Sequence, residues 1–236
     1  MKMKVKRWVC LCLLLAGCGQ TPPAEEAAQN IAARYGYHDF DKVEMVQYTF
    51  NFLVDNDTVQ RIWRWNPGLN WFEYTNPGDS VKGGGTHLEV FRDSIRSADT
   101  LSLQADMRFI NDNYWLFFPF HLMWDDNISL ELDENVEMPV GQEIAHRLTV
   151  SYEDSGGYTP GDVYELYFND DHLIQQWSFL RGGYAEYAFP ATWESNQTAG
   201  PLLFSLVRQN PEENFRLWFS NVAVKMKDSG DWIFIE

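Results

Sequence analysis

From Ile144 onward the chain is a succession of short apolar runs separated by turn residues, and this pattern admits few folds. The runs are Ile144 to Tyr152, Asp162 to Asn169, Leu173 to Leu180, Tyr184 to Phe189, Leu202 to Arg208, Phe215 to Val224 and Trp232 to Ile235. Between them lie Ser155-Gly156-Gly157, Asn169-Asp170-Asp171, Gly182-Gly183 and Asn210-Pro211, residues that tolerate tight turns. Successive hairpins of this kind predict an antiparallel meander. An earlier pair reads the same way. Val46, Tyr48, Phe50, Phe52 and Val54 alternate with Gln47, Thr49, Asn51 and Leu53, Asp55-Asn56-Asp57 turns the chain, and Val59, Arg61, Trp63 and Trp65 then share one face opposite Gln60, Ile62 and Arg64.

Helical signals are fewer. Alanine and glutamate predict a first helix from about Ala24 to Arg34, stopped near Gly36. Gly83-Gly84-Gly85 breaks the strand pattern and reads as a hinge, after which His87 to Ile95 predicts a short helix. Met107 to Phe118 predicts another, ending at Pro119. This last segment is apolar nearly all round, so it must be covered on both sides or must itself cover something. The whole reads as mainly β (α+β): one large curved antiparallel sheet, or half-barrel, with a few helices covering its concave face. A single β domain is expected over residues 29–236.

The N-terminus gives an address. Lys2, Lys4, Lys6 and Arg7 precede the apolar stretch Trp8 to Leu15, and Leu15-Ala16-Gly17-Cys18 closes it with small residues and a cysteine. The apolar stretch is too short to span a bilayer. Residues 1–17 are therefore expected to be a lipoprotein signal peptide, Cys18 the diacylated first residue of the mature chain, and 18–28 a lipidated tether. Within it Thr21-Pro22-Pro23-Ala24-Glu25-Glu26 reads as stiff and solvated. The expected location is the bacterial cell envelope, lipid-anchored at the outer membrane, since Gly19 is not the aspartate associated with inner-membrane retention. With Cys10 and Cys12 in the signal, no internal disulfide, thiolate metal site or cysteine nucleophile is expected. Losing the four basic residues of the signal takes Lys+Arg from 18 to 14 against 34 acidic residues, a formal charge of −20. Such a surface repels nucleic acid and anionic headgroups.

Catalytic patterns fall short. Glu131-Leu132-Asp133 puts two carboxylates on one strand face, as in retaining glycosidases of the laminarinase type, but Val136 stands where the third carboxylate would be. No Gly-x-Ser-x-Gly elbow occurs. His38, His87, His121, His146 and His172 are scattered without metal-ligand spacing, Asp125-Asp126-Asn127 and Asn169-Asp170-Asp171 match no EF-hand loop, and Gly83-Gly84-Gly85-Thr86 lacks the Lys-Ser/Thr of a phosphate loop. The expectation is a non-enzymatic protein with no cofactor and no metal.

Tyr114-Trp115-Leu116-Phe117-Phe118-Pro119-Phe120 before Trp124-Asp125, with Tyr164-Glu165-Leu166-Tyr167-Phe168 followed by Leu173-Ile174-Gln175-Gln176-Trp177, resembles the LolA/LolB-like superfamily of outer-membrane lipoprotein carriers, and within it a group of uncharacterised bacterial lipoproteins. The resemblance implies a half-barrel with a helical lid and an apolar cavity for acyl chains. Cys18 departs from the soluble carrier, which has no lipid anchor. On this reading Trp63, Trp65, Trp71, Tyr114, Trp115, Phe117, Phe118, Phe120, Trp124 and Trp177 line the cavity. Arg61 at its mouth would meet a phosphate or carboxylate headgroup. The lid, Tyr114 to Phe120, would hinge at Gly83 to Gly85 and Pro119. The expected partners are a lipid or lipoprotein acyl chain, the membrane reached through Cys18, and an envelope protein. Taken singly, each aromatic reads more readily as core packing than as ligand contact, and Arg61 more readily as a solvated strand edge. The alternative is an envelope module that binds glycan or protein on exposed aromatics, Trp63, Trp65 and Trp177 among them.

Overall fold

The computed structural model of the chain describes residues 21–54, 57–77, 81–86, 100–153 and 160–235. The signal segment with Cys18, most of the Asp55-Asn56-Asp57 turn, the helix expected at His87 to Ile95 and the Ser155-Gly156-Gly157 turn lie outside the described residues.

The first helix, α1 (Pro23–Arg34), buries Ala24, Ala27, Ala28, Ile31 and Ala32, one face at three- and four-residue spacing. Pro23 at its first turn has no amide to satisfy, and Glu25 and Glu26 sit favourably at the positive end of the helix dipole. The stiff, solvated tether read over Thr21 to Glu26 is thus corrected: from Pro23 it is helix with a buried face. Gly36, at φ 95°, ends this element where a Cβ would collide with the Pro201 carbonyl.

A 3₁₀ turn then leads into β1 (Val43–Val54), β2 (Asp57–Asn66), β3 (Trp71–Asn76) and β4 (Val81–Thr86). The expected hairpin forms, with Tyr48 opposite Trp63 and Phe50 opposite Arg61. Gly83, Gly84 and Gly85 are not a hinge. They pair with Tyr74, Glu73 and Phe72 in the edge strand β4.

The apolar segment becomes α2 (Thr100–Trp124), longer at both ends than its sequence implies, and Pro119 lies inside it. Proline there removes the amide that would bond the carbonyl of Trp115. That carbonyl is met instead by Arg208 Nη2 at 2.8 Å, so the helix continues.

After α2 come β5 (Ile128–Glu137), β6 (Ile144–Tyr152), β7 (Val163–Phe168), β8 (Ile174–Leu180) and β9 (Ala188–Thr192), paired consecutively as one meander. The strand expected at Tyr184 begins four residues later. Gly182 and Gly183 take positive φ, Gly182 donates to Asp162 Oδ1 at 2.8 Å, and 181–183 and 185–187 form 3₁₀ turns. The chain ends in β10 (Glu194–Ala199), β11 (Leu202–Asn210), β12 (Phe215–Met226) and β13 (Trp232–Phe234).

Among the described residues the strands make two antiparallel sheets. One follows the order β10-β11-β12-β1-β2-β3-β4, with β13 on β12, and the other runs β5 to β9. Neither closes into a barrel, and the fold is the mainly β architecture with covering helices that the sequence implies. The sheet divides because the chain leaves β9 at Trp193 and re-enters as β10 in the other ladder. Gln209 N to Thr192 Oγ1 (3.1 Å) and Asn210 Nδ2 to Pro190 O (3.0 Å) tie the two together there. One continuous apolar cluster joins both sheets and both helices.

Candidate functional site

Alternation along β2 points Arg61, Trp63 and Trp65 inward, and α2 meets them with rings on every side. Trp63 stacks on Tyr74 at 4.6 Å and edges onto Phe109 at 5.4 Å. Trp65 touches Phe117 at 5.4 Å and Trp124 at 5.9 Å. On the opposite side of the helix Trp115 meets Trp177 at 4.3 Å, and Phe118 meets Tyr164 at 4.7 Å. Helix α2 is apolar all round because it is sandwiched: one flank faces the larger sheet and the other the meander. Trp63, Phe117, Phe118, Phe120 and Trp177 are fully buried, while Trp65, Tyr114, Trp115 and Trp124 are half-buried against the same cluster. Trp71 stands apart, half-buried on β3, with no ring contact to another described residue. The exposed platform imagined from Trp63, Trp65 and Trp177 is therefore absent, since inward alternation buries Trp63 and Trp177 to 0% and 2% exposure.

Among the polar contacts that hold α2, beside the Arg108 to Tyr74 hydrogen bond, three clusters stand out. The first is Arg61, whose Nε and Nη2 reach both oxygens of Asp112 at 2.7 and 2.6 Å, while Trp63 Nε1 donates to Asp112 Oδ2 at 2.8 Å. The guanidinium also lies 4.4 Å over the Phe50 ring. Burial pushes the Asp112 carboxyl above its ordinary range, opposed by Arg61, Asn111 and Trp63. Arg61 therefore has an internal anion, and neither a free headgroup-binding charge nor a solvated strand edge describes it. Sequence reading missed Asp112. Its signal was Asn111-Asp112-Asn113, a polar interruption in an otherwise apolar helix.

The second fastening surrounds Asp125 at the end of α2. His121 Nδ1 lies 2.9 Å from Asp125 Oδ1, and the hydroxyls of Tyr114 and Tyr152 donate to Oδ2 at 2.5 and 2.7 Å. Asn113 Oδ1 lies 2.8 Å from His121 Nε2, and the Tyr114 ring stacks on the imidazole at 3.8 Å. Burial pushes the Asp125 carboxyl up, but His121 and the two hydroxyls more than offset it, leaving it below the ordinary range. A carboxyl with a depressed folded-state pKa adds stability above its unfolded value, near 3.9, and loses it as pH falls through the folded one. Accordingly Asp125→Asn is expected to destabilise the fold at neutral pH, with the difference from the wild type shrinking below about pH 4. Urea melts at pH 7 and pH 3 check this.

The third is Arg208 on β11, fully buried. Its Nη1 donates to the Ser205 and Val207 carbonyls, its Nη2 to Trp115, and its guanidinium lies 3.2 Å from the Trp193 ring centroid. Burial without a carboxylate contact pulls its pKa well below the usual arginine range.

The carboxylate pair Glu131 and Asp133 faces outward on β5. Asp133 is held by Arg147 at 2.8 Å, and Arg147 also reaches Glu165 at 3.1 Å. Among the described residues no three His, Cys, Asp or Glu side chains come close enough to hold a metal, and no helix is long and apolar enough to cross a membrane. Two of the depressions among the described residues open to solvent. One, outside β10 and β13, is lined by Asn196, Gln197, Thr198, Gly200, Ile233 and Phe234. The other, a groove of about 670 Å³, is bounded by Phe179, Arg181, Tyr187, Ala188 and Phe189.

No protein-family model matches the sequence, and no curated protein matches it. Among solved structures the chain is similar to a DUF1329 family protein from Desulfovibrio piger, at 10% identity over 89% of this chain and 95% of that one, with a TM-score of 0.42. It is also similar to a domain described as a candidate outer membrane lipoprotein-sorting protein from Vibrio parahaemolyticus, at 8% identity over 89% and 92% of the two chains, with a TM-score of 0.46.

Proposed function

We propose that this protein is a non-enzymatic, lipid-anchored protein of the bacterial envelope that binds an acyl chain or similar apolar ligand against the aromatic surfaces of α2 and the two sheets. The observation carrying this reading is the construction of the interior: a helix ringed by Trp, Tyr and Phe side chains, lying between two sheets that do not close. Capture would replace contacts between rings with contacts between rings and ligand methylenes, each methylene removed from water contributing about 0.8 kcal/mol. Because Asp112, Asp125 and the Trp115 carbonyl fasten α2 along its length, admission of ligand proceeds by shifting side chains such as half-buried Trp115 and Trp65, and the helix does not swing away as a lid. Burial of Trp63 and Trp177 favours this reading over an exposed aromatic platform.

Titration with cis-parinaric acid, whose emission rises in an apolar site, tests it. Saturable uptake that palmitate displaces, and that Trp115→Glu abolishes while the fold persists by circular dichroism, is the expected outcome. Equal uptake by Trp115→Glu would remove α2 from the site. The anchor has its own test. Cys18→Ser is expected to shift the protein from the membrane pellet to the soluble fraction and to abolish incorporation of radiolabelled palmitate.

A further inference from the structure

The groove beside β9 is the outer end of the aromatic interior. Phe179 lies 5.2 Å from Tyr164, which in turn touches Phe118 of α2. Phe189 lies 4.8 Å from Phe215, and Phe215 lies 5.8 Å from Trp115. Two lines of rings thus run from the groove floor to the helix. Its rim is the turn from Arg181 to Ala188, where every residue is exposed and Tyr184 and Tyr187 stand 60% and 58% accessible, their rings 6.1 Å apart.

Charge selects among amphiphiles. The protein is strongly acidic, and the interior cations are committed: Arg61 to Asp112, and Arg208 to three carbonyls. Against that acidic surface Arg181 lines the groove, is exposed, and makes no ion pair among the described residues, while exposed Glu186 stands farther along the same rim. We infer that this groove is the portal of the ligand site, and that it admits an acyl-chain amphiphile with a single anionic head, the chain entering over Phe179 and Phe189 while Arg181 pairs with the head. Tyr184 and Tyr187, apolar in body and polar at the tip, suit the junction between chain and head. This inference rests on the proposed acyl-chain function and adds the charge class of the ligand and the place where it enters.

The test uses the full chain with Cys10, Cys12 and Cys18 changed to serine. Palmitate, neutral monopalmitoylglycerol and acetate are titrated into it and into its Arg181→Gln form. Arg181→Gln is expected to weaken palmitate binding about tenfold, as loss of one charge-assisted contact does, and to leave monopalmitoylglycerol unchanged. A solvatochromic dye on Ala188→Cys, at the edge of the groove itself, is expected to shift to the blue when palmitate is added. Tight palmitate binding with no effect of Arg181→Gln and a silent dye would overturn the portal while leaving acyl-chain binding intact. Competition by acetate as effective as palmitate would make the groove a plain anion site and also overturn it. Failure of both amphiphiles to bind the parent chain would instead remove the reading on which the portal rests.

Discussion

Replacing Asp112 by leucine is expected to destabilise the protein by about 3 to 5 kcal/mol, because it strands a buried cation. Arg61 approaches Asp112 through two nitrogens and is only 13% exposed at its side chain. The indole N–H of fully buried Trp63 loses its acceptor in the same change. Water cannot substitute readily, since Phe50 and Phe52 cover the guanidinium. At about 2 to 4 °C per kcal/mol for a domain of this size, the midpoint of thermal unfolding should fall by roughly 6 to 20 °C. Changing Arg61 and Asp112 together to leucine should recover much of the loss, because a buried ion pair is often replaceable by apolar residues even where half of it is not tolerated. A double-mutant cycle by thermal melting measures the coupling. A loss in the double variant equal to the sum of the two single losses would mean that the two residues are not coupled.

The second large effect is expected at Arg208, and it depends on Pro119. In an ordinary helix the residue four positions after Trp115 would satisfy its carbonyl, but that residue is proline. Arg208→Leu leaves the carbonyl without its donor and removes the cation over Trp193, for an expected cost of about 2 to 4 kcal/mol. Relief of a desolvated charge opposes part of this, which keeps the figure below that for Asp112. Pro119→Ala restores an amide to the helix, so Arg208→Leu should cost distinctly less in that background. Chemical denaturation of the four proteins checks the dependence. An identical cost in both backgrounds would separate Arg208 from the helix.

The fold was more legible in the sequence than the site. Period-two runs placed β6 at its observed bounds, Ile144–Tyr152, and set the inward faces of β1 and β2, because alternation is dictated locally by the pleat. What escaped local reading depended on distant partners. Gly83 to Gly85 reads as a break until β3 supplies a ladder, and Pro119 reads as a helix end until Arg208, far along the chain, supplies a donor. Division of the strands into two sheets turns on Trp193, an apolar residue whose own sequence context marks nothing. Trp63, Trp177 and Phe117 could be recognised as aromatic and inward, yet not that α2 would fill the space they face. Arg61 carried the clearest charge on that face, but its partner Asp112 lay in a segment read for its rings. The groove residues Arg181, Tyr184 and Tyr187 fell in a stretch read as turn and strand, so no signal in the alternation singled them out.

The most direct measurement is native mass spectrometry of the full chain carrying Cys18→Ser, purified without detergent, followed by solvent extraction of whatever is bound. The account predicts a stoichiometric adduct of acyl-lipid mass that disappears on denaturation, or, in a protein recovered empty, one-to-one uptake of added palmitate. A folded, empty protein that takes up no acyl chain across a titration would contradict it.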